Sequence, residues 1–211
     1  MESGAARLEL GAILTGGAAS RMGGRKADLT IGGLSLAEMT HGCIAPLCRN
    51  VVCVGGKGFL ADRGVPTIPD LFPGADSMGG VATALKYALD NMGPDSWVLC
   101  VGCDMPFISP ALLTLLSSKR EGCDIVTPHS GPGFEPLCSL YRAGIFPVFD
   151  RRIKAGWLSI RDVFPQVATK TVREEELRSV DPRLCSFVNV NRPGDLEAVR
   201  KILEGGGGKG A

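Results

Sequence analysis

One stretch constrains this chain more than any other. An apolar run, Leu10-Gly11-Ala12-Ile13-Leu14, stops abruptly at Thr15-Gly16-Gly17, and Arg21, Gly23, Gly24, Arg25 and Lys26 follow. A buried strand that ends in a glycine-rich turn leaves backbone N–H groups without protein partners. Such donors suit an anion, and glycine lets the anion come close to the backbone. Arg21, Arg25 and Lys26 place full positive charge beside them. The simplest ligand is a polyphosphate, although a surface turn with solvated cations would show the same spacing. No Gly-Lys-Ser/Thr follows the first glycine at the Walker A distance, and the dinucleotide G-x-G-x-x-G pattern is missing too.

With 211 residues the chain is long enough for one domain with a sizeable core. Its net charge of +1 argues against a nucleic-acid-binding surface. No apolar run approaches the roughly twenty residues that span a bilayer. Residues 1–9 lack the apolar middle of a signal peptide and read as a short extension. The eight cysteines sit mostly in apolar runs such as Val51-Val52-Cys53-Val54, which predicts reduced core residues in a cytoplasmic protein. His41 and His129 are the only histidines, too few for a multi-histidine metal site.

Taken in order, Leu8–Leu14 reads as a buried first strand. Ser35 and Glu38 have capping-box spacing, Leu36, Met39, Cys43 and Leu47 repeat at helical intervals, and Pro46 marks where that helix is ending. Strands are predicted at Asn50–Val54 and Val65–Ile68, the first closed by Gly55-Gly56-Lys57-Gly58. A helix follows, capped by Asp76 or Ser77, with Val81, Ala84, Leu85, Ala88 and Leu89 buried. Gly79 and Gly80 are poor helix formers and signal a close approach near its start.

Trp97–Val101 is continuously apolar, as in a strand buried on both faces. It runs into Gly102-Cys103-Asp104-Met105-Pro106. Ligands of open α/β sheets sit beyond the carboxyl ends of the strands. A carboxylate there suits Mg²⁺, which binds through one or two carboxylates plus substrate phosphates; Asp104 could instead cap the next turn. Cys100 and Cys103 form an isolated C-x-x-C with no second pair to complete a zinc site.

Ser109-Pro110 opens another helix, with a cap and a first-turn proline. Strands are predicted at Cys123–Thr127 and Leu137–Tyr141. Gly144–Phe164 reads as partly helical with Pro147 breaking it, and Arg173–Arg178 as a solvated charged face. Alternation puts Asn189 and Asn191 on one side of a strand, before a helix that starts at Pro193 and turns Leu196, Val199 and Leu203 inward. An asparagine that merely caps that helix is the alternative. Residues 205–211 are a glycine-rich flexible tail. Alternating strands and helices predict an α/β fold: a single Rossmann-like three-layer domain with a mostly parallel twisted sheet and helices on both faces.

Leu14-Thr15-Gly16-Gly17, Arg21-Met22-Gly23, Lys26-Ala27, Leu29, Gly33 and Leu36 resemble, without a gap, the signature L-A-G-G-x-S-x-R-M-G-x-D-K-A-L-L-x-x-x-G-x-P-L of MobA-like molybdenum cofactor guanylyltransferases. Thr15, Ala19, Arg25, Asp28 and Ser35 depart from it. The Cys-Asp-Met-Pro string resembles the family's magnesium motif. Glu135-Pro136-Leu137 resembles a string that borders the acceptor pocket. Asn189-Val190-Asn191 resembles N-x-N-T-P-E-D-L, with Arg192 and Gly194 as departures. Asp70 and Gly80 match a D-x(n)-G-P-L-A-G pattern near the nucleoside, where Asp76 and Ser77 replace Gly-Pro.

The resemblance implies a nucleotidyltransferase domain over residues 10–204 that moves GMP from GTP to the phosphate of molybdopterin or its Mo-loaded form, releasing pyrophosphate. Leu14, Thr15, Gly16 and Gly17, with Asp70 and Gly80, would bind the nucleotide. Arg21 and Lys26 would hold and neutralise its phosphates, Asp104 would bind the Mg²⁺ cofactor, and Asn189 and Asn191 would face the acceptor. GTP and molybdopterin are then the partners, with transient contacts to molybdoenzyme maturation proteins and none to nucleic acid or membrane. A sister transferase using CTP or another phosphorylated acceptor remains open, as does a non-catalytic nucleotide-binding module.

Overall fold

The computed structural model describes residues 7–16, 30–31, 33–56, 58, 60–131, 133–190 and 195. The expectations for Gly17, Arg21, Lys26, Asn191, the helix after Pro193 and the 205–211 tail lie outside them.

The first strand, β1 (Leu8–Leu14), is the apolar run of the opening stretch and begins two residues inside the segment read as an extension. A short hairpin, β2 (Thr30–Ile31) with β3 (Leu34–Ser35), leads into helix α1 (Leu36–Ile44). Its capping box is complete: the Ser35 hydroxyl accepts from Glu38 N, and the Glu38 carboxylate accepts from Ser35 N. The fully buried row is Leu36, Ala37, Thr40 and Ile44, while Met39, Cys43 and Leu47 are half-buried. The chain continues through β4 (Cys48–Val54), β5 (Thr67–Ile68), α2 (Asp76–Met92), β6 (Trp97–Gly102) and α3 (Pro110–Ser118). Then come β7 (Ile125–Ser130), β8 (Gly133–Phe134), β9 (Cys138–Arg142), α4 (Phe146–Lys154), β10 (Thr169–Arg173) and α5 (Glu174–Val180).

The main sheet has the order β10-β7-β9-β6-β1-β4-β5, with β8 paired to β7. All neighbours on this path are parallel except those of β9, which runs antiparallel between β6 and β7. A connection as short as that from β7 to β9 cannot return the chain to the start of a parallel strand. Helices cover both faces. Residues of α1, α3 and α5 pack with Leu99 and Val101 on one face, and residues of α2 and α4 pack with Val98 and Cys100 on the other. Each fully buried leucine or valine here contributes about 1.5–3 kcal/mol by leaving water.

Several local expectations are corrected. Pro147 starts α4 rather than breaking it, because in the first turn its missing N–H has no helical partner to lose. The charged residues of the Arg173–Arg178 run do form a solvated face, but on helix α5, whose Leu177 turns into the core. Ser109 holds the N-cap position of α3, but its side chain makes no cap hydrogen bond. No strand runs through Phe187–Val190: Cys185–Phe187 is a 3₁₀ turn, and the chain then extends with Asn189 exposed and Val190 buried.

Candidate active site

Four strands end level with one another. Ile68 of β5 pairs with Val54 of β4, Val54 with Leu14 of β1, and Leu14 with Gly102 of β6. With strands about 4.8 Å apart, this row is roughly 14 Å wide. The residues that leave it are Pro69-Asp70, Gly55-Gly56, Thr15-Gly16 and Cys103-Asp104. From β1 the chain goes out to β4 through α1 and returns through α2 to β6 on the other side, so the strand order reverses at β1. A crevice at the carboxyl ends beside such a reversal is where open α/β sheets bind ligands.

The exits are stitched together by the backbone. Thr15 N donates to Val54 O (3.0 Å), Gly55 N to Ile68 O (2.9 Å) and Cys103 N to Leu14 O (3.3 Å). The Thr15 hydroxyl reaches the carbonyls of Gly55 (2.7 Å) and Val54 (3.1 Å), which joins the two glycine turns. Gly55 has φ +70°, and a Cβ there would lie 3.4 Å from Gly16 Cα. Both the conformation and the space therefore favour glycine. Gly16 itself is exposed at the tip, where its backbone is open to a ligand.

Asp70 is fixed from two sides. Its Oδ1 accepts from Phe72 N (2.9 Å) and from the Thr83 hydroxyl of α2 (3.2 Å). The start of α2 comes close to β1. A Cβ on Gly79 would meet Phe72 O at 2.8 Å, and one on Gly80 would meet Leu14 Cδ1 at 3.2 Å. The close approach expected here is thus made by the protein's own Phe72 and Leu14. Neither Asp76 nor Ser77 caps this helix. Ala75 is the N-cap residue, and Asp76 is the first helical residue with φ +47°. Buried Ala75 draws the chain inward, and its N–H is bonded to Phe72 O (3.0 Å), so Asp76 is carried past the cap position.

Asp104 stands half-buried just past the row, folded back over Gly102. A Cβ on Gly102 would lie 2.5 Å from Asp104 Oδ1, so the carboxylate occupies space that only glycine leaves open. The turn is held from α1, where the Thr40 hydroxyl donates to Cys103 O (3.4 Å) and the Cys43 thiol to Pro106 O (3.5 Å). From the other side Val190 N donates to Asp104 O (3.0 Å), which puts Asn189 one residue from the Asp104 backbone. Among the described residues no group of three or more His, Cys, Asp or Glu gathers around one point. A single carboxylate at the strand ends could hold Mg²⁺, which leaves its other positions to phosphates and water.

On the far side of β6 lies the end of β7. The Ser130 hydroxyl donates to Glu135 Oε1 (2.5 Å), the Ser139 hydroxyl to Glu135 O (2.6 Å) and the Tyr141 hydroxyl to Pro136 O (2.7 Å). Three hydrogen bonds therefore hold the Glu135-Pro136-Leu137 loop in place. Cys100 and Cys103 do not form a pair: Cys100 packs on the α2 face and Cys103 on the α1 face. Burial pushes the Cys100 thiol far above the ordinary cysteine range. None of the eight cysteines is in a disulfide.

Leu14, Thr15, Gly16, Asp70, Gly80 and Asp104 thus share one end of the sheet, with Asn189 beside Asp104. The sequence reading gave no role to Gly102, Thr40 or Thr83. The only signal for the two threonines is a hydroxyl on an otherwise apolar helix face.

The MobA-like NTP transferase domain matches residues 11–169. The chain is 32% identical to a probable molybdenum cofactor guanylyltransferase of Pelotomaculum thermopropionicum over 92% of this chain and 93% of that one. It is 30% identical to a molybdenum cofactor guanylyltransferase of Desulfosudis oleivorans, over 93% and 96%. The crystal structure of molybdopterin-guanine dinucleotide biosynthesis protein A from Archaeoglobus fulgidus superimposes with a TM-score of 0.75 at 27% identity, covering 93% of this chain and 99% of that one. A glycine turn and a carboxylate at level strand ends, together with these matches, make the chain a member of the MobA-like NTP transferase family.

Proposed function

We propose that this chain transfers GMP from GTP to the terminal phosphate of molybdopterin, or of its Mo-loaded form, making a guanine dinucleotide cofactor. The names of the relatives support the substrates. The observation that carries the chemistry is the pairing of Leu14 with Gly102, which puts the Thr15-Gly16 turn and Asp104 on adjacent strand ends.

An oxygen of the acceptor phosphate attacks the α-phosphorus of GTP. The new P–O bond forms as the bond to the bridging oxygen of the β-phosphate breaks, and pyrophosphate leaves. The attacking group is already an anion, so the protein's task is positioning and charge neutralisation. The Leu14–Gly17 turn, Asp70 and Gly80 hold the nucleoside end. Arg21 and Lys26 hold the phosphates and neutralise the departing pyrophosphate, and Asn189 and Asn191 orient the acceptor. Mg²⁺ held by Asp104 would supply positive charge to the phosphate oxygens.

Incubation with molybdopterin, Mg²⁺ and each of the four triphosphates, followed by mass spectrometry, tests this. The expected product is the guanine dinucleotide with release of pyrophosphate. A product formed from CTP instead, or GTP binding with no dinucleotide at all, would overturn it.

A further inference from the structure

The end of α5 carries a buried acid that the chemistry above does not use. Asp181 is 7% exposed. Its Oδ1 accepts from Cys185 N (3.1 Å) and its Oδ2 from Ser186 N (2.8 Å), while its backbone carbonyl accepts from Leu184 N (2.9 Å). Leu184 sits in the left-handed region at φ +53°, which a branched side chain seldom adopts without outside support. The three acceptors of Asp181 provide that support and wind the chain into the Cys185–Phe187 turn.

The turn is tied in two directions. Buried Ser186 accepts from Ser109 N at the start of α3 (2.9 Å). Four residues on, Val190 N donates to Asp104 O (3.0 Å). Four residues reach at most about 14 Å, so a turn that shifts carries Asn189 and Val190 with it. Resting on the reading under Proposed function, we infer that Asp181 is a positioning residue: its carboxylate fixes the segment that presents Asn189 to the acceptor and clamps the backbone of Asp104. The nucleoside side of the site is carried by β1, the exit of β5 and α2, and does not depend on this segment.

Asp181→Asn keeps the shape but turns an amide NH₂ toward a backbone N–H, so one of the two bonds is lost. In this variant the acceptor KM should rise about tenfold and kcat fall about tenfold. GTP affinity measured in EDTA, without the metal, should stay within twofold. Hydrogen exchange at the Ser186 and Val190 amides should be at least tenfold faster, with the β1 and β6 amides unchanged. Ser186→Ala, which unhooks the turn from α3, should give the same pattern at about threefold and serves if Asp181→Asn does not fold. Equal losses in GTP affinity and acceptor KM would overturn the proposal, since they mark a general loss of structure. Faster exchange at Val190 with unchanged kinetics would overturn it too. If the wild-type chain makes no dinucleotide, the parent reading fails; the exchange arm still decides whether Asp181 holds the 186–190 segment.

Discussion

Gly102→Ala isolates the contribution of the Asp104 carboxylate without touching Asp104. The new Cβ would lie 2.5 Å from Asp104 Oδ1, whereas Met105 Cγ is 3.6 Å away, an ordinary contact. Gly102 does not have positive φ, so alanine fits its backbone. The cheapest relief is rotation of the Asp104 side chain by about 1 Å, enough to bring the contact beyond the shortest normal separation. Misplacement by about 1 Å of a group at the reacting centre can cost about a hundredfold in rate, equivalent to about 2.7 kcal/mol in the barrier. Stability should change by less than about 1 kcal/mol, because alanine also lowers the entropy of the unfolded chain. The assay is guanylyl transfer against Mg²⁺ concentration, paired with urea denaturation. An unaltered rate and unaltered Mg²⁺ dependence in a stably folded Gly102→Ala would refute the placement of Asp104 at the phosphates.

Gly79→Ala should destabilise the fold by about 1–3 kcal/mol in urea denaturation, because the Cβ meets a backbone oxygen at 2.8 Å and the helix-propensity gain is only about 1 kcal/mol. Ser35→Ala should cost about 1 kcal/mol by removing the α1 cap and leave transfer kinetics unchanged. The Ser35 backbone N–H, then the Arg63 side chain and the Ser35 hydroxyl, hold the Glu38 carboxyl below its ordinary value of 4.5. A depressed carboxyl stabilises the fold above its unfolded value, and that contribution is lost as pH falls from 4.5 through the lower folded value. Melting curves from pH 6 to pH 3 should therefore lose stability more steeply in wild type than in Glu38→Gln. Finally, a maleimide at pH 7.5 should label Cys43 and Cys185, the two half-buried thiols, well ahead of the others. Burial pushes Cys48 up to about 12 and Cys53 to about 11, and mass spectrometry should find them labelled only after unfolding.

Much of the scaffold was legible because it rests on neighbours in the chain. The α1 capping box needs only Ser35 and Glu38, three residues apart, and β1 and β6 need only an unbroken apolar run. The ends that differ are those where burial or a neighbouring turn outweighs a residue's own preference. At α2 the burial of Ala75 and its bond to Phe72 O outweigh the capping preference of Asp76 and Ser77. Near Asn189 an exposed residue does precede buried Val190, but the Asp181 carboxylate winds the preceding chain into a turn, and no strand ladder forms over Phe187–Val190.

By itself the sequence determined the α/β class, the reduced cysteines and the order in which a glycine turn, a strand-end carboxylate and an asparagine pair follow one another. Only the tertiary structure decided that β5, β4, β1 and β6 end in one row, that Cys100 and Cys103 part to opposite faces, and that Asp104 folds over Gly102 while Val190 clamps it from behind. The division has a physical reason. Strand and cap preferences are settled within a few residues by backbone sterics and local hydrogen bonds. Register and side-chain placement depend on which surfaces meet across the sheet, and some of those contacts join residues 39 apart, as from Thr15 to Val54, or 88 apart, as from Glu9 to Trp97.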